Sequence, residues 1–546
     1  MTSVARHKTA MTRGFMSRPM QQAHSDGLLE AGITVFDYGC GKGEDVRQLI
    51  TLGVDAAGWD PAHAPDQKLR TSDVVNIGYV VNVIEDPVER AEALKEAWKI
   101  TSDVLVVSAR LDWDVDAKSG KPFGDGRMMS NGAFQKFFSQ EDLRAWIGTV
   151  LNATPITAAP GIFYVFRNPA SAQSLLARQS RGSRPRLGVA ELLYEENQDL
   201  LEPLESWIAD HRRLPNPTEF AESSELVERF GSIRAGFSII RRVSGRDWSD
   251  IDLGQRKRSE QRFEENIDDL QPLIDFLVER GRLPRDGELA NEQALQREFG
   301  SIRAAFSLVR KVTGSSQWEA FENDARENFL VYGALSAFGG RPRFSDLPED
   351  LQYDAKDLFG SYSKASDEAD KLLYSIANLE ALNEACQQSP FGKMTPEALY
   401  VHVDGIDQLP PLLRVYQGAA RTLTGDVDDA TILKLHRLKP QVSFLVYPTF
   451  DKDPHPALET SIVARLPELR VSFRNFGNSD NPPILHRKET FVPDDYPGLA
   501  KFERLTRQEE KAGLLDDPTI GRRQQWQERL SATGYRCAGH RLVEIS

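Results

Sequence analysis

One stretch near the amino terminus constrains the fold of this chain more than any other. Residues 35–43 have the sequence VFDYGCGKG, in which two apolar residues precede an acid and three glycines follow at alternate positions. The acid is Asp37, and the glycines are Gly39, Gly41 and Gly43. The pattern is typical of a strand that turns tightly into a helix, because glycine adopts turn dihedral angles closed to other residues. A second acid, Asp60, ends the next predicted strand, where it can accept the ribose hydroxyls of a nucleotide-like ligand.

Strands and helices alternate around this turn. Apolar runs predict strands at 33–37, 54–59, 73–84, 104–109, 156–159 and 162–166, and helices at 43–52, 87–100 and 139–151. The run at 104–109 is continuously apolar, which indicates a strand covered on both faces, as in a parallel sheet. Pro160-Gly161 separates the last two strands and predicts an antiparallel pair. We therefore expect an α/β domain over residues 1–168.

The middle of the chain contains an internal repeat. Residues 201–243 align without gaps to residues 270–312, and both copies contain RLP followed by FGSIRA. Such self-similarity indicates a repeated structural unit, and each copy has the pattern of three helices. We predict a linker at 169–186, an all-α repeat insertion at 187–320 and an α+β domain at 325–546.

Basic residues recur on the predicted third helix of each copy. They are Arg234, Arg241 and Arg242 in the first copy, and Arg303, Arg310 and Lys311 in the second. A capped, basic third helix is the shape of a helix-turn-helix reader, so these residues are candidates for binding nucleic acid, and DNA rather than RNA. The alternative is a helical spacer or a protein-contact array. A net charge of −14 argues against a uniformly basic surface but not against a local one.

The glycine turn resembles motif I of class I S-adenosylmethionine-dependent methyltransferases, in which an acid precedes three alternate glycines. The dinucleotide-binding fingerprint differs, because it places two residues between its second and third glycines. The resemblance implies a Rossmann-like fold over residues 1–168 that binds S-adenosylmethionine. It assigns cofactor binding to Asp37, Gly39, Gly41, Gly43, Asp60 and Tyr79. The alternative is a turn with only a structural role.

The same resemblance makes the run at 73–86 the fourth strand of the methyltransferase fold, whose exit faces the methyl donor and the substrate. It implies that Asn82 and Glu85 are catalytic residues that orient a nucleophile or accept a proton. The alternative is that both residues cap the strand and the following helix. If the two residues are catalytic, the resemblance implies methyl transfer by direct in-line displacement near Asn82.

Several separated segments resemble the DNA phosphorothioation-associated methyltransferase family. They are residues 7–13, 37–45, 58–61, 76–87, 409–416, 481–489 and 539–542. The resemblance covers residues 5–170 and 325–546, so the repeats between them have the character of an insertion. It implies a bacterial enzyme that acts on nucleic acid or is bound to it, with other phosphorothioation-system proteins as partners.

Two other functions are open alternatives. The first is a non-catalytic DNA-binding regulator that uses the methyltransferase fold as a ligand sensor. The second is a hydrolase or nuclease centred on His486, Lys488 and Glu489, because a lysine near an acid and a histidine can bind phosphate or transfer protons. A solvated surface strand is the structural alternative for these three residues.

Cysteine spacing and apolar runs bear on the compartment. The three cysteines are widely separated and none lies in a CxxC pair, so we expect no disulfide framework, no metal site and a reducing compartment. Residues 1–20 are basic but lack the apolar segment of a secretory signal. No apolar run approaches membrane-spanning length. We therefore expect a cytoplasmic protein without a membrane partner.

Overall fold

The structure is a computed structural model of the chain. It describes residues 4, 6–9, 13–30, 32–181, 194, 197–230, 232–246, 248, 251, 258–427 and 429–545. The end of the predicted linker, 182–186, and part of the 7–13 motif lie outside the described residues. The chain divides into two compact units. The first comprises Met1–Gln179, Ala334–Leu347 and Asp370–Ser546, and the second comprises Ser180–Gly333 and Pro348–Ala369.

The N-terminal part of the first unit is a Rossmann-like α/β layer. Its strands are β1 (Thr34–Tyr38), β2 (Asp55–Trp59), β3 (Ser72–Gly78), β4 (Thr101–Ser108), β8 (Ile156–Ala159) and β9 (Ile162–Phe166). They form one sheet in the order β2-β1-β3-β4-β9-β8. The first four are parallel, whereas β9 is antiparallel to both β4 and β8. This confirms the six predicted strands and the antiparallel pair around Pro160-Gly161.

Five helices lie before, between and after these strands along the chain. They are α1 (Arg18–Ser25), α2 (Glu44–Thr51), α3 (Pro87–Lys99), α4 (Gln140–Leu151) and α5 (Pro169–Ser180). The α4 helix begins where predicted, because the side chain of Ser139 accepts a hydrogen bond from the backbone N–H of Asp142. A small sheet of β5 (Lys121–Phe123), β6 (Gly126–Met128) and β7 (Phe134–Gln135) occupies the connection before α4.

The chain order of the first sheet reverses at β1. The chain passes from β1 to β2 on one side and then returns to β3 on the other side of β1. Asp37 therefore lies opposite Gly58 of β2 and Asn76 of β3. Reversal leaves a crevice at the carboxyl ends of the two central strands, which is where open α/β sheets bind ligands. The glycine turn of residues 39–43 follows β1 at this edge.

The C-terminal part of the first unit is built on a second sheet, which is antiparallel throughout. Its strands are β10 (Lys393–Met394), β11 (Ala398–His402), β12 (Ile432–His436), β13 (Gln441–Val446), β14 (Thr460–Arg465) and β15 (Arg470–Asn475), in that spatial order. The other elements are α16 (Leu379–Gln387), α17 (Pro411–Thr424), α18 (Leu499–Lys511), α19 (Arg523–Thr533), β16 (Tyr535–Cys537) and β17 (Leu542–Glu544). Helices and antiparallel strands occur together, as an α+β arrangement requires.

The two sheets of the first unit are joined by direct contacts. The hydroxyl of Thr157 on β8 donates to the carbonyl of Thr422 near the end of α17, at 2.8 Å. The backbone N–H of Val471 on β15 donates to the carboxylate of Glu141 on α4, at 2.6 Å. The ring of Trp113 stacks on that of Phe473, with centroids 5.8 Å apart. Residues that we predicted as two separate domains therefore pack against each other.

The second unit contains the repeat. The first copy has α6 (Gln198–His211), α7 (Ser223–Phe230) and α8 (Ile233–Val243), and the second has α10 (Ile267–Arg280), α11 (Glu292–Phe299) and α12 (Ile302–Thr313). The other helices are α9 (Arg258–Glu265), α13 (Ser316–Ser336), α14 (Glu349–Phe359) and α15 (Tyr362–Ser375). Both α13 and α15 continue beyond this unit. The three helices in each copy are consistent with the pattern read from the sequence. In both copies a serine, Ser232 or Ser301, caps the third helix with its side chain.

The two copies share one apolar core. Buried residues from both copies, including Leu204 and Phe237 of the first and Leu273 and Val309 of the second, form a single cluster. A repeat whose units cannot bury their apolar faces alone gains stability by stacking in this way. In the part of the chain that the structure describes, no helix has the length and apolar character needed to cross a membrane.

Candidate functional site

The glycine turn after β1 requires glycine for conformational reasons. Gly39, Gly41 and Gly43 have φ values of 84°, 52° and 75°. These are left-handed conformations, which cost other residues about 1–2 kcal/mol each. A Cβ atom on Gly39 would lie 2.4 Å from a methyl carbon of Val80, which follows β3. The turn therefore brings its backbone close to the exit of β3. A larger residue at Gly39 would displace either the turn or Val80.

Asp60 lies at the end of β2 and is tied to this turn. One oxygen of its carboxylate accepts the backbone N–H of Gly41 at 3.1 Å. The other oxygen accepts the N–H groups of Ala62 and His63, both at 2.8 Å. A carboxylate has about four acceptor positions, so these three bonds orient Asp60 and leave capacity for a ligand. The structure thus brings together the second predicted acid and the glycine turn.

Asp37 lies beneath the turn and is buried. Its carboxylate accepts a hydrogen bond from the side-chain amide of Asn76 at 2.8 Å. Burial and the nearby carboxylate of Asp45 raise the pKa of Asp37 to about 7, although the bond from Asn76 opposes this. Asp45 is also buried and accepts the backbone N–H of Ser17 at 2.6 Å. Because two buried acids adjoin the turn, a cation bound above Asp37 would be stabilised.

Tyr79 is the first residue after β3 and has a strained backbone. Its φ of 59° lies in the left-handed region, which is uncommon for an aromatic residue. Its backbone N–H donates to the carbonyl oxygen and the hydroxyl of Ser108 on the neighbouring strand, at 3.0 and 3.2 Å. Strain of this kind persists where the surrounding structure holds it in place, and it concentrates at functional sites. Tyr79 therefore marks the exit of β3 as part of the same crevice.

Asn82 and Glu85, the two predicted catalytic residues, have different surroundings. Asn82 is only 1% exposed, and its amide NH₂ donates to the side-chain oxygen of Gln135 at 2.8 Å. Its amide oxygen has no hydrogen-bond partner among the described residues. Glu85 instead accepts a hydrogen bond from the guanidinium of Arg6 at 2.8 Å. Although burial raises the pKa of Glu85, this bond lowers it below the ordinary value, so Glu85 is a weak proton acceptor.

The basic residues of the two third helices are not equivalent. In α8, most positions from Ile233 to Ile240 are buried, and Arg234 is only 8% exposed. Arg241 and Arg242 at the end of the helix are exposed. In α12, by contrast, Arg303, Arg310 and Lys311 are exposed and form an accessible basic face. Among the predicted nucleic-acid contacts, Arg234 is therefore unavailable at the surface, because α8 packs on both sides.

A groove of about 750 Å³ runs beside α12. Its lining includes Arg285, Arg303 and Arg310, together with the acids Glu319 and Glu322. The charge is mixed rather than uniformly positive. Any anion in this groove would therefore lie toward the arginines of α12 and away from α13.

The structure does not join His486, Lys488 and Glu489 into one site. The ammonium of Lys488 donates to the carbonyls of Phe450 and Asp453 and lies 2.7 Å from the Nε2 atom of His540. Burial lowers the pKa of Lys488 to about 7. The carboxylate of Glu489 accepts the hydroxyl of Thr506 at 2.8 Å. The predicted hydrolase centre is therefore split among separate partners.

His486 belongs instead to a buried group that sequence reasoning missed. Its ring lies 4.7 Å from that of His455 and 4.6 Å from that of Trp526, between centroids. Glu509 on α18 lies beside His455, with 2.8 Å between the carboxylate oxygen Oε1 and the ring nitrogen Nε2. Burial lowers the pKa of His455 to about 3 and that of His486 to about 4, and raises that of Glu509 to about 7. These residues are scattered over four segments, so no local motif could have found them.

The three cysteines are free thiols. Burial raises the pKa of Cys40 to about 12, and the carboxylates of Asp37 and Asp60 add to this effect. Burial likewise raises the pKa of Cys386 to about 11 and that of Cys537 to about 12. The thiolate is the nucleophilic form of cysteine. None of the three is therefore activated for covalent catalysis.

Solved structures of other proteins are similar to part of this chain. No protein-family model matches it, and no curated protein sequence matches it. Magnesium protoporphyrin IX methyltransferase from Synechocystis PCC 6803, with bound SAH, is 15% identical, with 30% of this chain and 93% of that chain covered and a TM-score of 0.22. A sugar N-methyltransferase from Streptoalloteichus sp ATCC 53650 is 16% identical over 29% and 90%, with a TM-score of 0.23.

A third solved structure is similar over the same share of the chain. It is the 1,6-didemethyltoxoflavin-N1-methyltransferase from Burkholderia thailandensis with bound 1,6-didemethyltoxoflavin and S-adenosylhomocysteine. It is 13% identical, with 30% of this chain and 79% of that chain covered and a TM-score of 0.20. All three are methyltransferases. Because their identities and TM-scores are low, the function of this chain is argued from the geometry of its own site.

Proposed function

We propose that this protein is an S-adenosylmethionine-dependent methyltransferase. One observation carries the proposal: Gly39, Gly41 and Gly43 adopt left-handed conformations where the strand order of the sheet reverses, with Asp60 hydrogen-bonded to the turn. A ligand that combines a ribose with a compact charged group fits this crevice, because the turn excludes side chains and Asp60 accepts hydroxyls.

The residues present fit S-adenosylmethionine. Asp60 would accept the ribose hydroxyls with its remaining acceptor capacity. The turn from Gly39 to Gly43 would approach the ligand closely because it carries no bulky side chains there. Asp37 and Asp45 are buried acids beneath the turn, and they favour the cationic groups of S-adenosylmethionine over a dinucleotide phosphate.

The bound cofactor would supply an electrophilic methyl group. The chain would orient the acceptor at the exit of β3, where Tyr79 is held in its strained conformation. Asn82 is better suited than Glu85 to contact the acceptor, because its amide oxygen has no hydrogen-bond partner in the described part of the chain whereas Glu85 is paired with Arg6. Asn82 would thus accept an N–H or O–H of the nucleophile and hold its lone pair toward the methyl group.

We propose nucleic acid as the acceptor, and DNA of a phosphorothioation system in particular. The support is the accessible basic face of α12, with Arg303, Arg310 and Lys311. Lysine and arginine side chains on one helix face can contact successive phosphates, so binding should weaken as salt rises. The resemblance of separated sequence segments to the phosphorothioation-associated family supports the same acceptor.

Methyl transfer from labelled S-adenosylmethionine tests this function. We expect the full-length protein to label DNA, with phosphorothioated DNA, unmodified DNA of the same sequence and tRNA compared as acceptors. Replacing Arg303, Arg310 and Lys311 with alanine should reduce labelling at moderate salt and lower the salt slope of DNA binding by up to about 3. The matched control replaces the exposed lysines Lys95 and Lys99 on α3 with alanine, and should retain most of the labelling.

The other possible results of the labelling and binding assays would change the proposed function. Labelling of tRNA alone would show that the acceptor is RNA and not DNA. DNA binding that depends on S-adenosylmethionine, without transfer to any acceptor, would indicate a non-catalytic regulator. Equal salt slopes in the wild type and the α12 variant would remove α12 from the nucleic-acid surface.

A further inference from the structure

The buried group of His455, His486 and Glu509 brings three potential metal ligands together. His455 lies between β13 and β14, His486 lies after β15, and Glu509 lies on α18. One ligand atom from each residue falls within 4.8 Å of the other two. We propose that these three side chains bind a divalent transition-metal ion, with zinc as the first candidate.

The three ligand atoms are unpartnered although they are buried. They are Nε2 of His455, Nδ1 of His486 and Oε1 of Glu509, and none has a hydrogen bond of acceptable geometry to any residue that the structure describes. Nε2 and Oε1 are only 2.8 Å apart, yet they do not form such a bond. Two ligands at about 2.1 Å from one tetrahedral ion are separated by about 3.4 Å. The two side chains would therefore move apart by about half an ångström to share an ion.

Leaving these atoms unpartnered is costly for the protein. Glu509 is 1% exposed and His455 is 8% exposed. Buried polar atoms are normally hydrogen-bonded, and a buried carboxylate is normally paired with a cation or bound to a metal. A divalent ion would satisfy all three atoms at once. Two imidazoles and one carboxylate favour zinc and related transition metals over magnesium or calcium, which prefer oxygen ligands.

The outer ring nitrogens orient both histidines. Nε2 of His486 lies 2.9 Å from the carbonyl oxygen of Ile520 and donates its proton there, which leaves the lone pair of Nδ1 directed into the group. His455 differs, because the indole N–H of Trp526 donates to its Nδ1 at 3.1 Å. The ring proton of His455 then resides on Nε2. Metal binding at Nε2 requires the ring proton to move to Nδ1, which breaks the hydrogen bond from Trp526, so Trp526 opposes binding.

Zinc binding by the metal-stripped, full-length protein tests the proposal. We expect calorimetric titration to give one zinc ion per chain, and zinc to raise the melting temperature. Glu509→Gln and His486→Gln should each weaken binding by about 100-fold. The matched control is His540→Gln, which removes a nearby imidazole outside the group and should leave the affinity unchanged. Trp526→Phe should tighten zinc binding. If Trp526 served only in packing, the substitution would leave the affinity unchanged.

A second measurement does not depend on whether the variants fold. X-ray absorption of the zinc-loaded wild type should show nitrogen and oxygen ligands at about 2.0–2.2 Å, and no sulfur at about 2.3 Å. Sulfur in the first shell would place zinc on a cysteine and overturn the site. So would the absence of stoichiometric zinc binding, or unchanged affinity in folded Glu509→Gln and His486→Gln proteins.

Discussion

Gly39→Ala should weaken the binding of S-adenosylmethionine by about 100-fold. The new Cβ would lie 2.4 Å from a methyl carbon of Val80, and the residue would need a φ of 84°. Both effects move the turn, so the backbone and Asp60 no longer present their hydrogen bonds to one ligand; a lost hydrogen bond to a charged group costs about 1.5–3 kcal/mol. Calorimetric titration of both proteins with S-adenosylmethionine measures the change.

Gly53→Ala provides the matched control in the same domain. Gly53 also has a positive φ, of 81°, but a Cβ there meets no atom of the described residues within 4 Å. It should cost about 1 kcal/mol of stability, as an alanine in a left-handed conformation does, and leave cofactor affinity unchanged. Equal affinities of the Gly39→Ala and Gly53→Ala proteins would show that the turn does not hold the ligand.

Arg282→Ala should destabilise the second unit by about 3–5 kcal/mol. The guanidinium of Arg282 donates to both carboxylate oxygens of Glu288 at 2.7 Å and to Asp354 at 2.6 Å. Arg282 and Asp354 are buried. Removing the arginine leaves Glu288 without this cation and leaves Arg280, at 3.0 Å, as the nearest remaining cation of Asp354. Removing one partner in this way is the costly way to break a buried pair. Urea unfolding followed by circular dichroism would show the loss as a lower midpoint for this unit.

The repeat offers its own control at the equivalent position. Arg213 of the first copy makes the same two-bond pair with Glu219, at 2.8 and 2.9 Å, but both side chains are more exposed. Exposed pairs contribute little because water screens them. Arg213→Ala should therefore lower the unfolding midpoint far less than Arg282→Ala. Equal losses would show that burial and Asp354 do not set the importance of Arg282.

The sequence predicted the parts of the fold that depend on local pattern. Apolar runs located the six strands of the first sheet, because buried strands need continuous or alternating apolar residues. The repeat predicted equal helices in both copies. The two copies also have an arginine and a glutamate at matched positions, Arg213 with Glu219 and Arg282 with Glu288. Only the structure shows that each arginine is paired with its glutamate.

What the sequence could not predict depends on long-range contact. The burial of Arg234 follows from packing of α8 between neighbours, whereas Arg303 at the matched position is exposed. The sequence predicts a site that combines His486 with the nearby Lys488 and Glu489. In the structure, His486 lies beside His455 and Glu509, which come from other segments. Spacing along the chain carries no signal for such a group, because side chains of adjacent residues point in different directions.

The most direct test of the central claim is the affinity of S-adenosylmethionine for Asp60→Ala. The loss of the carboxylate that is hydrogen-bonded to the glycine turn should weaken binding by about 10–100-fold, as expected for hydrogen bonds to a charged group. Asp66→Ala, at an exposed acid on the same loop, should bind as the wild type does. If Asp60→Ala binds S-adenosylmethionine as tightly as the wild type, the proposed site is wrong.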